Sequence, residues 1–282
     1  MLRGLTPLDR LVLAFTAAIT CALAWVRPPT AAWIAAAHVL VAGLAWLAPR
    51  ARRVGGWGPF LADFYPLLID WAFYAEVGML NRARGVSYDV AVQAWEQTLF
   101  GAQPSQLLMT AWPSPVVSTV LHLAYLAKYP MLFTPVLFWR SGRREAAREV
   151  LFLTLFSFYA CYVMFLLFPV AGPRYLLPVP ESAAAHTASA SFTRALLEAG
   201  SAWGTAFPSS HVAVTLVIAG TTWRFSRRLG APLLAVAALL ALGTVYGGFH
   251  YAVDALAGAV LGALILAARP WILRHSGFRQ PV

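Results

Sequence analysis

Charge is what this sequence has least of. Only 11% of its 282 residues are Asp, Glu, Lys or Arg, and 60% are hydrophobic, where an average soluble domain has about 25% and 45–50%. So few charged side chains cannot coat a water-exposed surface, which excludes a soluble globular protein, a disordered chain and a coiled coil. Cysteine is nearly absent. Cys21 and Cys161 both lie inside apolar segments, too few for a disulfide scaffold and expected to be buried small hydrophobes. Acidic residues are the scarcer charges, 11 against 21 basic, for a net charge of +10. No internal repeat or low-complexity tract is present, which excludes a solenoid.

What the sequence does have is apolar runs. A membrane-spanning helix needs about 20 mostly apolar residues, and eight stretches meet or approach this: 9–26, 31–48, 60–80, 113–139, 149–169, 210–225, 231–247 and 251–269. The expected fold is therefore all-α, a polytopic transmembrane bundle. Residues 1–56 form an N-terminal two-helix hairpin, and residues 57–282 a six-span bundle. The first run lacks a small-residue cleavage pattern and leads through Arg27-Pro28-Pro29 into the next, so it reads as a retained helix. Two longer connections are predicted at one face. Over 86–100, Val92, Trp95, Leu99 and Phe100 share a helical face with acidic residues elsewhere, which predicts an interfacial helix. Residues 170–209 form a loop rich in Pro, Ala and Ser with a helical candidate at 192–199.

The basic residues set the orientation. With eight crossings both termini share one side. Fifteen arginines fall there: Arg3, Arg10, Arg50, Arg52, Arg53, Arg140, Arg143, Arg144, Arg148, Arg224, Arg227, Arg228, Arg269, Arg274 and Arg279. Five face the other side: Arg27, Arg82, Arg84, Arg174 and Arg194. Omitting 60–80 inverts every later loop and destroys this asymmetry, so the segment is kept as a span despite Asp63, Asp70 and Glu76. The basic excess is a topology signal and not a nucleic-acid surface. It predicts a multi-pass cell-membrane protein with both termini cytoplasmic.

Three polar clusters then fall together at the extracytoplasmic face: Ala171-Gly172-Pro173-Arg174-Tyr175, Phe207-Pro208-Ser209-Ser210-His211, and Tyr246-Gly247-Gly248-Phe249-His250-Tyr251-Ala252-Val253-Asp254. Helices begin near His211 and His250, and helix N-termini attract phosphate through unpaired N–H groups and the dipole. Ser209 and Ser210 suit N-capping or phosphate donation. Arg174, beside Tyr175, offers bidentate phosphate contact, and Gly247 and Gly248 permit close backbone approach. His250 and Asp254 are spaced i,i+4 on one helix face. There a carboxylate can hold one imidazole nitrogen protonated and free the other for attack. His211 is placed to protonate the leaving oxygen.

These clusters resemble the signature motifs of the type 2 phosphatidic acid phosphatase superfamily, and most closely the branch of inositol phosphorylceramide and sphingomyelin synthases. Phe207-Pro208-Ser209-Ser210-His211 resembles the motif whose usual form is Pro-Ser-Gly-His, and His250-Tyr251-Ala252-Val253-Asp254 resembles His-x-x-x-Asp. The resemblance covers residues 60–269 and implies a six-helix core with the site at one membrane face. It makes His250 the nucleophile, Asp254 its orienting carboxylate, His211 the acid and Arg174 a phosphate contact. Family phosphatases usually carry Ser-Arg before the nucleophilic His, where this chain has Gly243-Thr244, and Lys seven residues before the Arg, where it has Leu167. The loss of both cations resembles the phosphotransferase branch. The implied substrate is a membrane lipid phosphate, the acceptor water or the hydroxyl of a lipid or polyol. No cofactor or metal is expected.

Other polar residues have plainer readings. Lys128 either lines a hydrated pocket or, the preferred reading, pairs with Asp70 or Glu76. His122 reads as a core histidine on a neighbouring carbonyl, His38 as structural, His186 and His275 as loop and tail residues. Trp57, Trp95, Trp112, Trp139 and Trp271 read as interfacial anchors. Three other functions compete. Asp63, Asp70, Glu76 and Lys128 are the features of a transporter or channel. His122, His211, His250 and Asp254 are the material of a zinc site, without a compact His-Glu-x-x-His pair. A rhomboid-like serine protease lacks a Gly-x-Ser-x-Gly context around Ser209 or Ser210.

Overall fold

A computed structural model describes residues 4–278 of the chain; Arg3 and Arg279, counted above among the cytoplasmic arginines, lie outside the described residues. The described chain is α-helical. A hairpin of α1 (Pro7–Val26) and α2 (Ala31–Ala51) leads into the long α3 (Gly58–Arg84). Two short helices follow, α4 (Asp89–Phe100) and α5 (Pro104–Ala111). A broken segment comes next: α6 (Pro115–Leu126), α7 (Lys128–Met131) and α8 (Thr134–Arg140). The chain continues through α9 (Arg144–Leu167), the single turn α10 (Pro173–Leu176), α11 (Ala188–Gly200), α12 (Ser210–Phe225), α13 (Arg227–Tyr246) and α14 (Ala252–Ser276).

Among the described residues five helices are long and apolar enough to cross a membrane: α1, α2, α9, α13 and α14. The α6–α7 segment with α8 makes a sixth when the bent pair counts as one span. Its 43° bend falls beside Pro130 and Pro135, whose missing N–H groups and ring clashes break a helix. α3 follows the run expected at 60–80 but carries three buried carboxylates, Asp63, Asp70 and Glu76. α12 has 16 residues, a length of about 24 Å.

α12 is the hub. Almost every one of its residues from Ser210 to Ala219 is buried, and it packs on α9, α13 and α14. A helix buried on nearly all sides sits in the middle of a bundle. The largest core cluster joins Val214, Val217 and Ile218 of α12 to α9 and continues into Leu8, Phe15 and Ile19 of α1. The hairpin therefore shares the core of the bundle. A polar chain also fastens it: Thr20 Oγ1 meets His38 Nδ1 at 2.7 Å, and His38 Nε2 meets Glu76 at 2.9 Å. His38 is structural, as read from the sequence. The two cysteines differ from expectation, because Cys161 is buried but Cys21 is exposed on the outer side of α1.

Alternating direction puts the two ends of the bundle in different chemical worlds. At one end Arg52 bonds Asp9 at 2.7 Å and Asp63 at 2.8 Å, and Arg148 reaches Asp63 at 2.6 Å. Arg269 pairs with Glu149, Arg143 with the Phe225 carbonyl and Arg10 with the Ser276 carbonyl. These contacts gather the basic loops at a single end. The starts of α12 and α14 lie at the other, beneath α4, α5, α10 and α11.

Candidate active site

α14 and α12 meet where their first turns begin, because small residues line the contact. A Cβ on Gly258 would stand 2.4 Å from the Ser209 carbonyl, and one on Gly262 3.0 Å from that of Ala213. Four residues apart on one face, they let two backbones touch. The Ser209 amide closes the join by donating to the Asp254 carbonyl at 2.9 Å. Ser209 caps α12 through its hydroxyl, so it does the capping half of what was expected of it, while Ser210 lines a small cavity with His211.

This join brings the two histidine motifs together, with the rings of His211 and His250 5.5 Å apart at 62°. Both line a cavity of about 30 Å³ with Arg174, Tyr175 and Tyr125. Tyr125 stacks on His211 at 4.7 Å. His250 lies in the connection between α13 and α14, and its Nδ1 is 3.0 Å from the Ala206 carbonyl and 3.5 Å from Asp254 Oδ2. A carbonyl only accepts, so Nδ1 carries the hydrogen and Nε2 keeps its lone pair. Burial lowers the His250 imidazole to about 3, which keeps it neutral.

Asp254 has a different first duty from the one read in the sequence. Its Oδ2 accepts from the Tyr251 amide at 2.9 Å and caps α14. The nearer holder of His250 is a backbone carbonyl, which no side-chain pattern announces. Arg174 opens on the same cavity, with its guanidinium 4.3 Å over the Tyr175 ring and hydrogen-bonded to Ser201 and the Tyr175 hydroxyl. Gly172, at φ +96°, turns the chain toward it. A larger hollow of about 360 Å³ adjoins, lined by Arg82, Arg174, Arg194, Glu198, Gly247 and Gly248 among others.

The acidic residues of α4 overturn their expected placement. Asp89 and Glu96 are buried, and both serve the site from behind. Asp89 accepts from the amides of Ala171 and Gly172, each at 2.8 Å, and from the Tyr251 hydroxyl at 3.2 Å. Glu96 accepts from the amides of Ala252 and Val253, the free N–H groups of α14. Burial pushes the Glu96 carboxyl up to about 7. The signal was present in the sequence: Asp89, Val92 and Glu96 share one face at i, i+3 and i+7, and that face is the buried one. Leu99 and Phe100 stay exposed, while Trp95 stacks on Phe168 at 5.6 Å.

The pairing preferred for Lys128 does not form. Glu76 is taken by His38, and among the described residues no carboxylate lies within ion-pair distance of Lys128. Its ammonium instead stands 3.3 Å from His211 Nε2. Asp63, Asp70 and Glu76 also do not line a common path. Asp63 sits in the arginine cluster at the far end, Glu76 faces the hairpin, and Asp70 accepts from Tyr162 at 3.0 Å. His122 bonds the Ser118 carbonyl at 2.7 Å, as a core histidine does. Among the described residues no three His, Cys, Asp or Glu side chains converge as metal ligands. Four of the five expected anchor tryptophans are exposed, whereas Trp139 packs edge-on against the stacked Phe60 and Phe64.

The sequence profile of the PAP2 superfamily matches residues 90–268, a stretch that holds His211, His250, Asp254 and Arg174. No curated protein and no solved structure matches the chain.

Proposed function

The chain belongs to the PAP2 superfamily, and on that premise we propose that it is an integral membrane lipid phosphotransferase or lipid phosphatase. It cleaves a lipid-linked phosphate ester through a phosphohistidine. One observation carries the reading. Two buried imidazoles from different helix starts face one small cavity, and the hydrogen of one is held on Nδ1 by the Ala206 carbonyl.

The chemistry follows from the geometry. His250 Nε2 supplies the electron pair that forms the N–P bond, and the P–O bond to the lipid breaks on the opposite side. His211 delivers a proton to the departing oxygen. Arg174 and the N-terminal N–H groups of α12 neutralise charge on the equatorial oxygens. The second half reverses these roles. Water as acceptor yields free phosphate, and a lipid or polyol hydroxyl yields a new phosphodiester. The 360 Å³ hollow beside Arg174 has room for a head group or an acceptor, which together with Leu167 and Gly243-Thr244 favours transfer and the inositol phosphorylceramide and sphingomyelin synthase branch. With eight crossings, the arginine-rich end is cytoplasmic and the site faces outward from the cell membrane.

Purified protein incubated with lipid phosphates, with and without lipid or polyol alcohols, tests this by mass analysis of the products. A new phosphodiester marks the transferase and free phosphate alone the phosphatase. Turnover surviving in His250→Ala overturns the nucleophile. Activity is expected to persist in chelator, since His250 and His211 supply the nucleophile and the acid.

A further inference from the structure

Lys128 sits where none of the three motifs points. It opens α7 at the break in the α6–α8 segment, and its ammonium lies over the rings of Phe158 at 5.5 Å and Tyr129 at 5.9 Å. Its polar neighbour is His211 Nε2 at 3.3 Å. Asp70 lines the same cavity of about 40 Å³, beyond ion-pair distance; its Oδ2 accepts from the Tyr162 hydroxyl and its buried Oδ1 has no partner among the described residues. A cation inside a membrane bundle is costly to bury, so this placement is not neutral.

An ammonium has three donors and no acceptor. His211 Nε2 must therefore accept from it, and the ring hydrogen must sit on Nδ1. That Nδ1 is buried and has no partner among the described residues, and the His211 ring borders both the Lys128 cavity and the one shared with His250. The imidazole thus has a donor at its back and a free N–H of its own. A neutral imidazole by itself is a poor acid, because giving up its only hydrogen leaves an imidazolate. A proton entering at Nε2 as one leaves from Nδ1 removes that obstacle.

We propose that Lys128 is a positioning residue that fixes the tautomer of His211 and reloads it with a proton during phosphoryl transfer. The inference rests on His250 as nucleophile and His211 as acid. As the ester P–O bond breaks, the His211 Nδ1–H bond breaks and the lipid oxygen gains that hydrogen. A Lys128 N–H bond breaks in the same motion and Nε2–H forms. The imidazole is neutral before and after, the ammonium has become an amine, and the lipid departs as an alcohol. When the acceptor hydroxyl attacks the phosphohistidine, its proton passes to Nδ1 and the Nε2 proton returns to the amine. Lysine suits this duty because its ammonium releases a proton when desolvated, whereas arginine keeps its own.

Two substrates with different leaving groups test the relay in the full-length purified protein: dioctanoyl phosphatidate, whose alkoxide needs a proton, and p-nitrophenyl phosphate, whose phenolate does not. In Lys128→Met the ratio of alkyl to aryl kcat/KM, which covers only the steps through release of the leaving group, is expected to fall about tenfold or more, within the range of general-acid effects. Lys128→Arg, with charge but no releasable proton, should fall likewise, and adding Lys128→Met to His211→Ala should lower the ratio no further. Equal losses of kcat/KM on both substrates, or recovery of the ratio in the Arg variant, overturns the relay. His250→Ala must lose both substrates; if it keeps both, the phosphohistidine reading fails independently of Lys128. Nitrogen-15 spectroscopy of His211 in the resting wild-type protein needs no substrate. A neutral ring protonated at Nδ1 is expected, and one protonated at Nε2, or at both nitrogens, refutes the proposal.

Discussion

His250 owes its readiness to a carbonyl. The Ala206 oxygen at 3.0 Å takes the Nδ1 hydrogen and Asp254 stands at 3.5 Å, so losing the carboxylate leaves the tautomer in place. Asp254→Asn, which keeps an oxygen to cap α14, is expected to lower kcat by about tenfold, or ~1.4 kcal/mol of transition-state stabilisation. His250→Ala is expected to abolish turnover, and steady-state kinetics of the two variants side by side checks the contrast. Glu96 carries a second prediction. Its carboxyl is raised from 4.5 to about 7 by burial, so the folded state holds this proton more tightly than the unfolded one. Its contribution to stability is fully present below pH 4.5 and is lost as pH rises to about 7. Glu96→Gln keeps an acceptor for the α14 amides and should flatten that part of the stability profile, read as thermal midpoint against pH. An unchanged slope between pH 4.5 and 7 rules out Glu96 as its source.

The helices were readable to different depths for reasons that differ by element. α9, α13 and α14 announce themselves as long apolar runs, and the capping residues Ser209 and Ser226 mark where α12 and α13 begin. The break between Met131 and Thr134 hides in a run that is apolar apart from Lys128, and Pro130 and Pro135 are its markers. α4 is legible as a helix, but the work of its carboxylates is not, because Val92, Trp95, Leu99 and Phe100 make a convincing apolar stripe while Asp89 and Glu96 bond backbone amides of distant segments. The motifs of the site were visible in the sequence, but what holds them was not, since a carbonyl acceptor and a lysine from a bent helix leave no local pattern. The α12–α14 join bears its own prediction. Gly258→Val drives a branched side chain into the Ser209 carbonyl and should cost about 1–3 kcal/mol by overpacking. It should also separate His211 from His250, so activity falls more than the unfolded fraction explains; thermal unfolding beside kcat reads both. Wild-type turnover in Gly258→Val contradicts the close-contact account.

For the whole molecule, the scarcity of charge is a matter of distribution. Arg10, Arg52, Arg143, Arg148 and Arg269 tie the chain together at one end, and the buried histidines occupy the other. The proposed eight crossings would place those ends on opposite sides of the bilayer. In a chain freed of Cys21 and Cys161, Gln97→Cys is expected to react with an impermeant thiol reagent from outside the cell and Ser141→Cys only after lysis. The reverse pattern would mean that α3 does not cross. The most direct test of the central claim is chemical. Protein mixed with lipid substrate labelled in its phosphate, quenched during turnover and digested, is predicted to carry an acid-labile, base-stable phosphoimidazole on the peptide containing His250. Product formed with the label on another residue, or with none trapped on any quench timescale, contradicts it.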